Sequence, residues 1–211
     1  MDSKHPPERL IALYASGEAT EGVSLAVAAH LTYCPACRAR VATAEAVASA
    51  LVSADASDVA PPSFDSVLAR LSEAGEGEPV AVIIPNAGPL PSAVAERVGV
   101  DFDDIPWRFR LPGVSEYVMT SDEGDSISLL RVRPGTAIPQ HTHEGEEITV
   151  VFSGVLEDGG IAYDVGAMSV ADHDVDHHPR AGGDETCICL AVVSGGLRFT
   201  GRFGRALNLF S

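Results

Sequence analysis

The feature that most restricts what this chain can fold into lies past its middle: Gly135-Thr136-Ala137-Ile138-Pro139-Gln140-His141-Thr142-His143-Glu144-Gly145-Glu146-Glu147, followed by Gly154. Two histidines separated by one residue point to the same face of a strand, because successive side chains alternate. Glu147, entering the next strand, can face them inside a barrel. A spacing error of one residue would aim a ligand outward.

The surrounding sequence agrees with strands. Ser126–Val132, Glu147–Phe152 and Thr186–Val193 are short runs rich in Val, Ile and Leu, separated by Gly- and Pro-bearing turns, as in a small all-β barrel or sandwich. The G-x5-H-x-H-x3-E-x6-G spacing resembles the first motif of the cupin family at every defined position. The second cupin motif is eroded: Gly166 opens it and His177 falls where its histidine belongs, but Asp172-His173-Asp174 replaces the usual Pro-x-Gly and no Asn follows. The candidate quartet is therefore His141, His143, Glu147 and His177, with His178 expected to point the other way and His173 a weaker substitute. Three histidines and a carboxylate suit zinc, iron, manganese or nickel, and the opposing reading is a polar interior that binds nothing. Cys187 and Cys189 share a strand face, either as an oxidant-sensitive pair or auxiliary soft ligands, or as small buried apolar residues.

The first third of the chain has a different character, with Ala, Leu and Val at helical spacing. Pro6 and Pro7 lead into a short helix that Gly17 stops, and a second helix is expected from about Glu21 to Tyr33 with Val23, Val27, His30, Leu31 and Cys34 on one side. Pro35 opens a third helix that fades near Ser53. Ser53 to Pro62 reads as a linker, and Ser63 caps a fourth, amphipathic helix bearing Phe64, Val67, Leu68 and Leu71 on one face. That helix either folds back on the bundle, the simpler expectation, or docks on a partner. Glu73 to Ser92, with an apolar patch from Val80 to Ile84, is the expected connector. The fold class is thus α plus all-β, with a helical domain over residues 1–85 and a cupin barrel over 86–211.

His30-Leu31-Thr32-Tyr33-Cys34-Pro35-Ala36-Cys37 places an imidazole and a thiol one helical turn apart and brings a second thiol round at the start of the next helix. Three nitrogen and sulfur donors converge, a structural zinc site wants a fourth, and His5 is the one other histidine or cysteine in this part. The opposing reading leaves His5 in a tail and the others in the core.

Across 211 residues the formal net charge is −16, a balance that disfavours phosphate backbones and suits a basic protein partner, or simply confers solubility. The first residues have neither a basic segment nor an apolar one, and no apolar run approaches a membrane span, so the expected location is the cytoplasm. In that reducing compartment four cysteines are expected as metal ligands or redox thiols rather than as disulfides.

H-x3-C-x2-C on Ala-rich helices, with a histidine upstream, resembles the zinc-binding anti-sigma family, in the form whose helical domain is fused to a cupin. The resemblance covers nearly the whole chain. It implies that His5, His30, Cys34 and Cys37 hold a zinc ion, and that His141, His143, Glu147 and His177 hold zinc or another divalent transition metal. It also implies that the helices trap an extracytoplasmic-function sigma factor, masking the surfaces that bind core polymerase, and that the cupin is needed for release under singlet oxygen. The competing expectation is a metal-dependent cupin dioxygenase acting on a small diketone, for which no additional substrate-handling motif is present.

Overall fold

In the computed structural model, residues 4–54, 60–73, 86–119 and 124–201 are described. Pro7 is extended and hands its carbonyl to the first turn of α1 (Glu8–Ser16), which stops at Gly17, where φ is 75°. An L side chain is disfavoured there, and the Glu18 N–H reaches back to the Leu13 carbonyl at 3.0 Å to close the end. Thr20 accepts the Val23 N–H at the start of α2 (Glu21–Tyr33), and Pro35 opens α3 (Pro35–Ala54) after a single intervening residue. Next come α4 (Phe64–Glu73), α5 (Ser92–Val98) and a 3-10 turn over Phe102–Asp104. The last two were not anticipated from sequence, although Pro91 before α5 and Gly99 after it, with φ 74°, are ordinary helix punctuation.

Eleven strands follow among the described residues: β1 (Arg108–Leu111), β2 (Val114–Met119), β3 (Ser126–Val132), β4 (His141–His143), β5 (Glu147–Ser153), β6 (Val155–Asp158), β7 (Ile161–Tyr163), β8 (Met168–Ala171), β9 (Arg180–Gly182), β10 (Cys187–Val193) and β11 (Leu197–Phe199). All pair antiparallel. Six form a sheet in the order β1-β2-β3-β10-β5-β8, while β11-β4 and β7-β6-β9 make smaller sheets. Side chains from β6, β7 and β9 share a core with the inner face of the large sheet: Leu156, Tyr163 and Ala181 meet Val114, Val132, Val151, Cys187 and Cys189.

The outer face of the large sheet is buried as well. Ile127, Leu129, Ile148, Val150, Phe152, Met168, Leu190 and Val192 pack in one core with Leu10 of α1, Ala26, Val27 and Ala29 of α2, and Val94, Ala95 and Val98 of α5. Two covered faces explain why β3, β5 and β10 read as nearly unbroken apolar runs rather than alternating ones. Helix α2 lies against β5 and β10 through its smallest residues, Gly22, Ala26 and Ala29. A Cβ at Gly22 would fall 2.6 Å from Val192 Cγ1, so glycine is what allows the approach. Of the expected face, Val27, His30 and Cys34 are buried, while Val23 and Leu31 are half-buried and pack against the core.

Further bonds fasten the helices to the barrel. The Lys4 carbonyl accepts the Met168 N–H at 2.9 Å, Lys4 Nζ pairs with Asp164 at 3.1 Å, Arg9 pairs with Glu146, and the Thr20 hydroxyl donates to Asp125. By contrast, α4 does not fold back on the bundle. Phe64, Val67, Leu68 and Leu71 are all exposed, Phe64 by 75%. The end of α3 overshoots α1 in the same way, leaving Val47, Leu51 and Val52 exposed. The Val80 to Ile84 patch lies outside the described residues.

Candidate metal centres

His5 stands in the bend before α1, His30 in the last turn of α2, Cys34 at the end of that helix and Cys37 in the first turn of α3. Their donor atoms, one from each residue, lie within 4.8 Å of one another. Both Sγ atoms are 3.5 Å from His5 Nδ1. His30 Nδ1 donates to the Gly166 carbonyl at 2.7 Å, which leaves the lone pair on Nε2. That Nε2 is buried and has no hydrogen-bond partner, although buried polar atoms are ordinarily paired. Burial pushes the His30 imidazole toward its neutral form and, together with the hydrogen bond that the Cys37 thiol donates to Cys34, pushes the Cys37 thiol up. A neutral imidazole aimed at two thiols and a second imidazole fits a soft or borderline cation, whose charge would stabilise the thiolates.

The barrel cluster is built on strands. β4 turns His141 and His143 inward, Glu147 begins β5, and His177 is brought to them by a reciprocal bridge in which His141 and His177 exchange both backbone hydrogen bonds at 3.0 Å. That bridge holds His177 in place even though the segment ahead of it departs from the usual cupin pattern. His143 and His177 present Nε2 atoms 3.1 Å apart, and each is 3.4 Å from Glu147 Oε2. His141 Nδ1 donates to the Pro139 carbonyl and His177 Nδ1 to Asp158, both at 2.7 Å. In each of these two rings Nε2 is thereby left to face the cluster, the arrangement seen when histidine binds a metal. Burial alone would lower the His177 pKa, but the hydrogen bond to Asp158 and the Glu147 charge outweigh it and raise it. The three imidazoles hold Glu147 below the usual carboxylate range against the opposing pull of burial. Three nitrogens and one carboxylate oxygen fit a divalent transition metal, which would act there as a Lewis acid.

The eight residues singled out from sequence as ligands thus fall into two clusters. His173 and His178 are exposed and lie outside both. Cys187 and Cys189 are fully buried on the inner face, where the hydrogen bond to Cys187, reinforced by burial, drives Cys189 well above the ordinary thiol range. The supporting groups Asp158, the Pro139 and Gly166 carbonyls, and Arg40, which donates to Cys37 Sγ at 3.4 Å, were not read from sequence. Asp158-Gly159-Gly160 carries only the signature of a hairpin turn.

Comparison with known proteins follows the same division. A family model described as the ChrR cupin-like domain matches residues 95–195, and a zinc-finger model matches residues 8–38. The anti-sigma-E factor ChrR of Cereibacter sphaeroides is 34% identical over 198 residues, which span 92% of this chain and 91% of that protein. A crystal structure of Rhodobacter sphaeroides SigE in complex with the anti-sigma ChrR matches with a TM-score of 0.72 and 31% identity, over 90% of this chain and 98% of that chain. With a helical His/Cys cluster and a barrel His/Glu cluster in this order, the chain belongs to the ChrR-type family of zinc-binding anti-sigma factors.

Proposed function

We propose that the chain sequesters an extracytoplasmic-function sigma factor in the cytoplasm and releases it under singlet oxygen or a related oxidative stress, acting as a regulator rather than an enzyme. Residues 1–85 are the capturing part and residues 86–211 the sensing or release part. The observation that carries this reading is the apolar surface left uncovered on two helices: Phe64, Val67, Leu68 and Leu71 on α4, and Val47, Leu51 and Val52 at the end of α3. Large apolar residues grouped on exposed helix faces mark a protein interface. The matched relative is named as an anti-sigma factor, and its matched structure is a complex with SigE. A net charge of −16 disfavours nucleic acid as the direct partner, and no described helix is long and apolar enough to cross a membrane.

Zinc is the ion proposed for His5, His30, Cys34 and Cys37, where it would tie the entry segment, α2 and α3 together. His141, His143, Glu147 and His177 are proposed to hold zinc or another divalent transition metal. Release follows from altered chemistry at that barrel site, with Cys187 and Cys189 as the thiols nearest to it in the same interior. Co-expression with an extracytoplasmic-function sigma factor from the same genome, followed by co-purification, tests the capture. A stoichiometric complex is expected, and Phe64→Asp with Leu71→Asp should abolish it. A chain that co-purifies with no sigma factor, or a double variant that captures as well as the parent, contradicts the proposal.

A further inference from the structure

The donors of the helical cluster are not placed by equally firm supports. His30, Cys34 and Cys37 ride on two helices joined through one residue, whereas His5 reaches the cluster from the bend before α1. Pro6 and Pro7 follow it, and neither carries an N–H with which that stretch could be tied down. It offers carbonyls instead. Pro6 is buried, and its carbonyl accepts from Arg40 Nη1 at 3.3 Å and from Nη2 at 3.2 Å.

Arg40 stands one turn after Cys37 on α3, so its stem runs along the same face of that helix. From there Nη1 also donates to Cys37 Sγ at 3.4 Å, while Nε and Nη2 reach Glu8 Oε1 at 3.2 and 2.7 Å. One planar group thus bridges a sulfur of the cluster, the residue after His5 and the first residue of α1. The Cys34 sulfur accepts the Cys37 N–H at 3.4 Å, and the Cys37 sulfur has the guanidinium in the matching place. Arg38, two residues earlier, has a different duty: its Nη1 donates to the Leu31 and Thr32 carbonyls at the end of α2. The pair with Glu8 alone is a weak reason for such an arrangement, because an ion pair with a carboxylate 76% exposed contributes little.

We infer that Arg40 is a positioning residue of the helical metal site: its guanidinium holds the His5 segment against α3 and, by donating to Cys37 Sγ, supports a sulfur that binds the ion. The inference rests on a metal occupying His5, His30, Cys34 and Cys37. A lysine cannot replace this group. An ammonium presents its donors at one point, not as a fork that spans a sulfur, a carbonyl and a carboxylate together.

Cobalt(II) binding to the full-length chain tests it. Sulfur-to-cobalt absorption reports the helical site alone, because the barrel cluster offers nitrogen and oxygen. A hydrogen bond lowers the energy of a sulfur lone pair, so its removal moves that band to longer wavelength. Arg40→Gln is expected to show this shift and to lose cobalt to a competing chelator about tenfold more readily, the low end of the cost of removing a group that supports a metal ligand. Arg40→Lys, which keeps the charge and decides the matter if the glutamine variant unfolds, should lose affinity to a similar extent. Glu8→Gln, which leaves the other two contacts in place, should keep the band and stay within about twofold of the parent. Parent-like affinity in Arg40→Gln, a loss of affinity there without a shift of the band, or full affinity in Arg40→Lys would each overturn the inference. Absence of sulfur-to-cobalt absorption in the parent chain would overturn the metal reading beneath it.

Discussion

His5, His30, Cys34 and Cys37 come from a bend at the chain's entry and the ends of two helices, whereas His141, His143, Glu147 and His177 stand on backbone that is already paired. The contrast extends to the cores around them. Near the helical cluster the local core consists of Ile11, Val41 and the two cysteines themselves, with Tyr14, Ala15 and Leu31 at its edge. Inside the barrel, sheet hydrogen bonds and apolar residues on both sheet faces hold the fold, and His141 is locked to His177 by backbone. One cluster is a fastener, above all for α3, since α1 and α2 also share the core on the outer sheet face. The other is a lining, placed by a scaffold that exists without it.

The sharpest way to break that comparison is to remove the fastener. Structural zinc in small domains contributes about 10–16 kcal/mol of apparent binding free energy. Cys34→Ser with Cys37→Ser is therefore expected to melt the helical part and abolish sigma capture, as read by circular dichroism and a pull-down. Full inhibition by that variant would mean the cluster is no fastener. Next in size, Glu147→Ala or His141→Ala should lower bound metal from about two ions per chain to about one, leaving the barrel folded and capture intact while blunting the response to singlet oxygen. If either variant loses sigma binding, the division between fastener and lining fails.

Asp158→Asn addresses the lining more finely. Replacing a carboxylate that orients a metal-bound histidine costs about 10–100-fold in metal affinity, so competition with a chromogenic chelator should show that loss in the barrel alone. A change confined to the helical site would refute the role given to Asp158. Smallest of all, Lys4→Ala removes an exposed pair with Asp164, worth under about 1 kcal/mol. A larger loss on thermal unfolding would show that the side chain, and not the Lys4 carbonyl bonded to Met168, holds the entry segment to β8.

How far the chain could be read in advance follows from the reach of each signal. The spacing of His141, His143 and Glu147 is legible because strand alternation fixes orientation locally, and His30 with Cys34 because one helical turn does the same. His5 could be placed only as the remaining donor in its part of the chain. Asp158 and Gly166 were invisible as supporting groups, since each acts on a histidine far away in sequence. The apolar spacing of α2 named residues that do pack inward, but the close approach to the sheet at Gly22, Ala26 and Ala29 was not legible, because small residues leave no apolar periodicity. Amphipathicity identified the face of α4, but only the tertiary structure leaves that face uncovered.

The bond from His30 to the Gly166 carbonyl ties a ligand of the helical cluster to the barrel. Gly166 also donates its N–H to Val151 on β5, the strand that begins at Glu147, and with φ 83° it lies directly against Tyr33, one turn beyond His30. Lifting the helices away strips the imidazole of the acceptor that orients it, and displacing the barrel turn has the same effect from the other side. Gly166 is therefore one of the points, beside the shared core and the bonds of Lys4, Arg9 and Thr20, at which a disturbance of either half reaches the other.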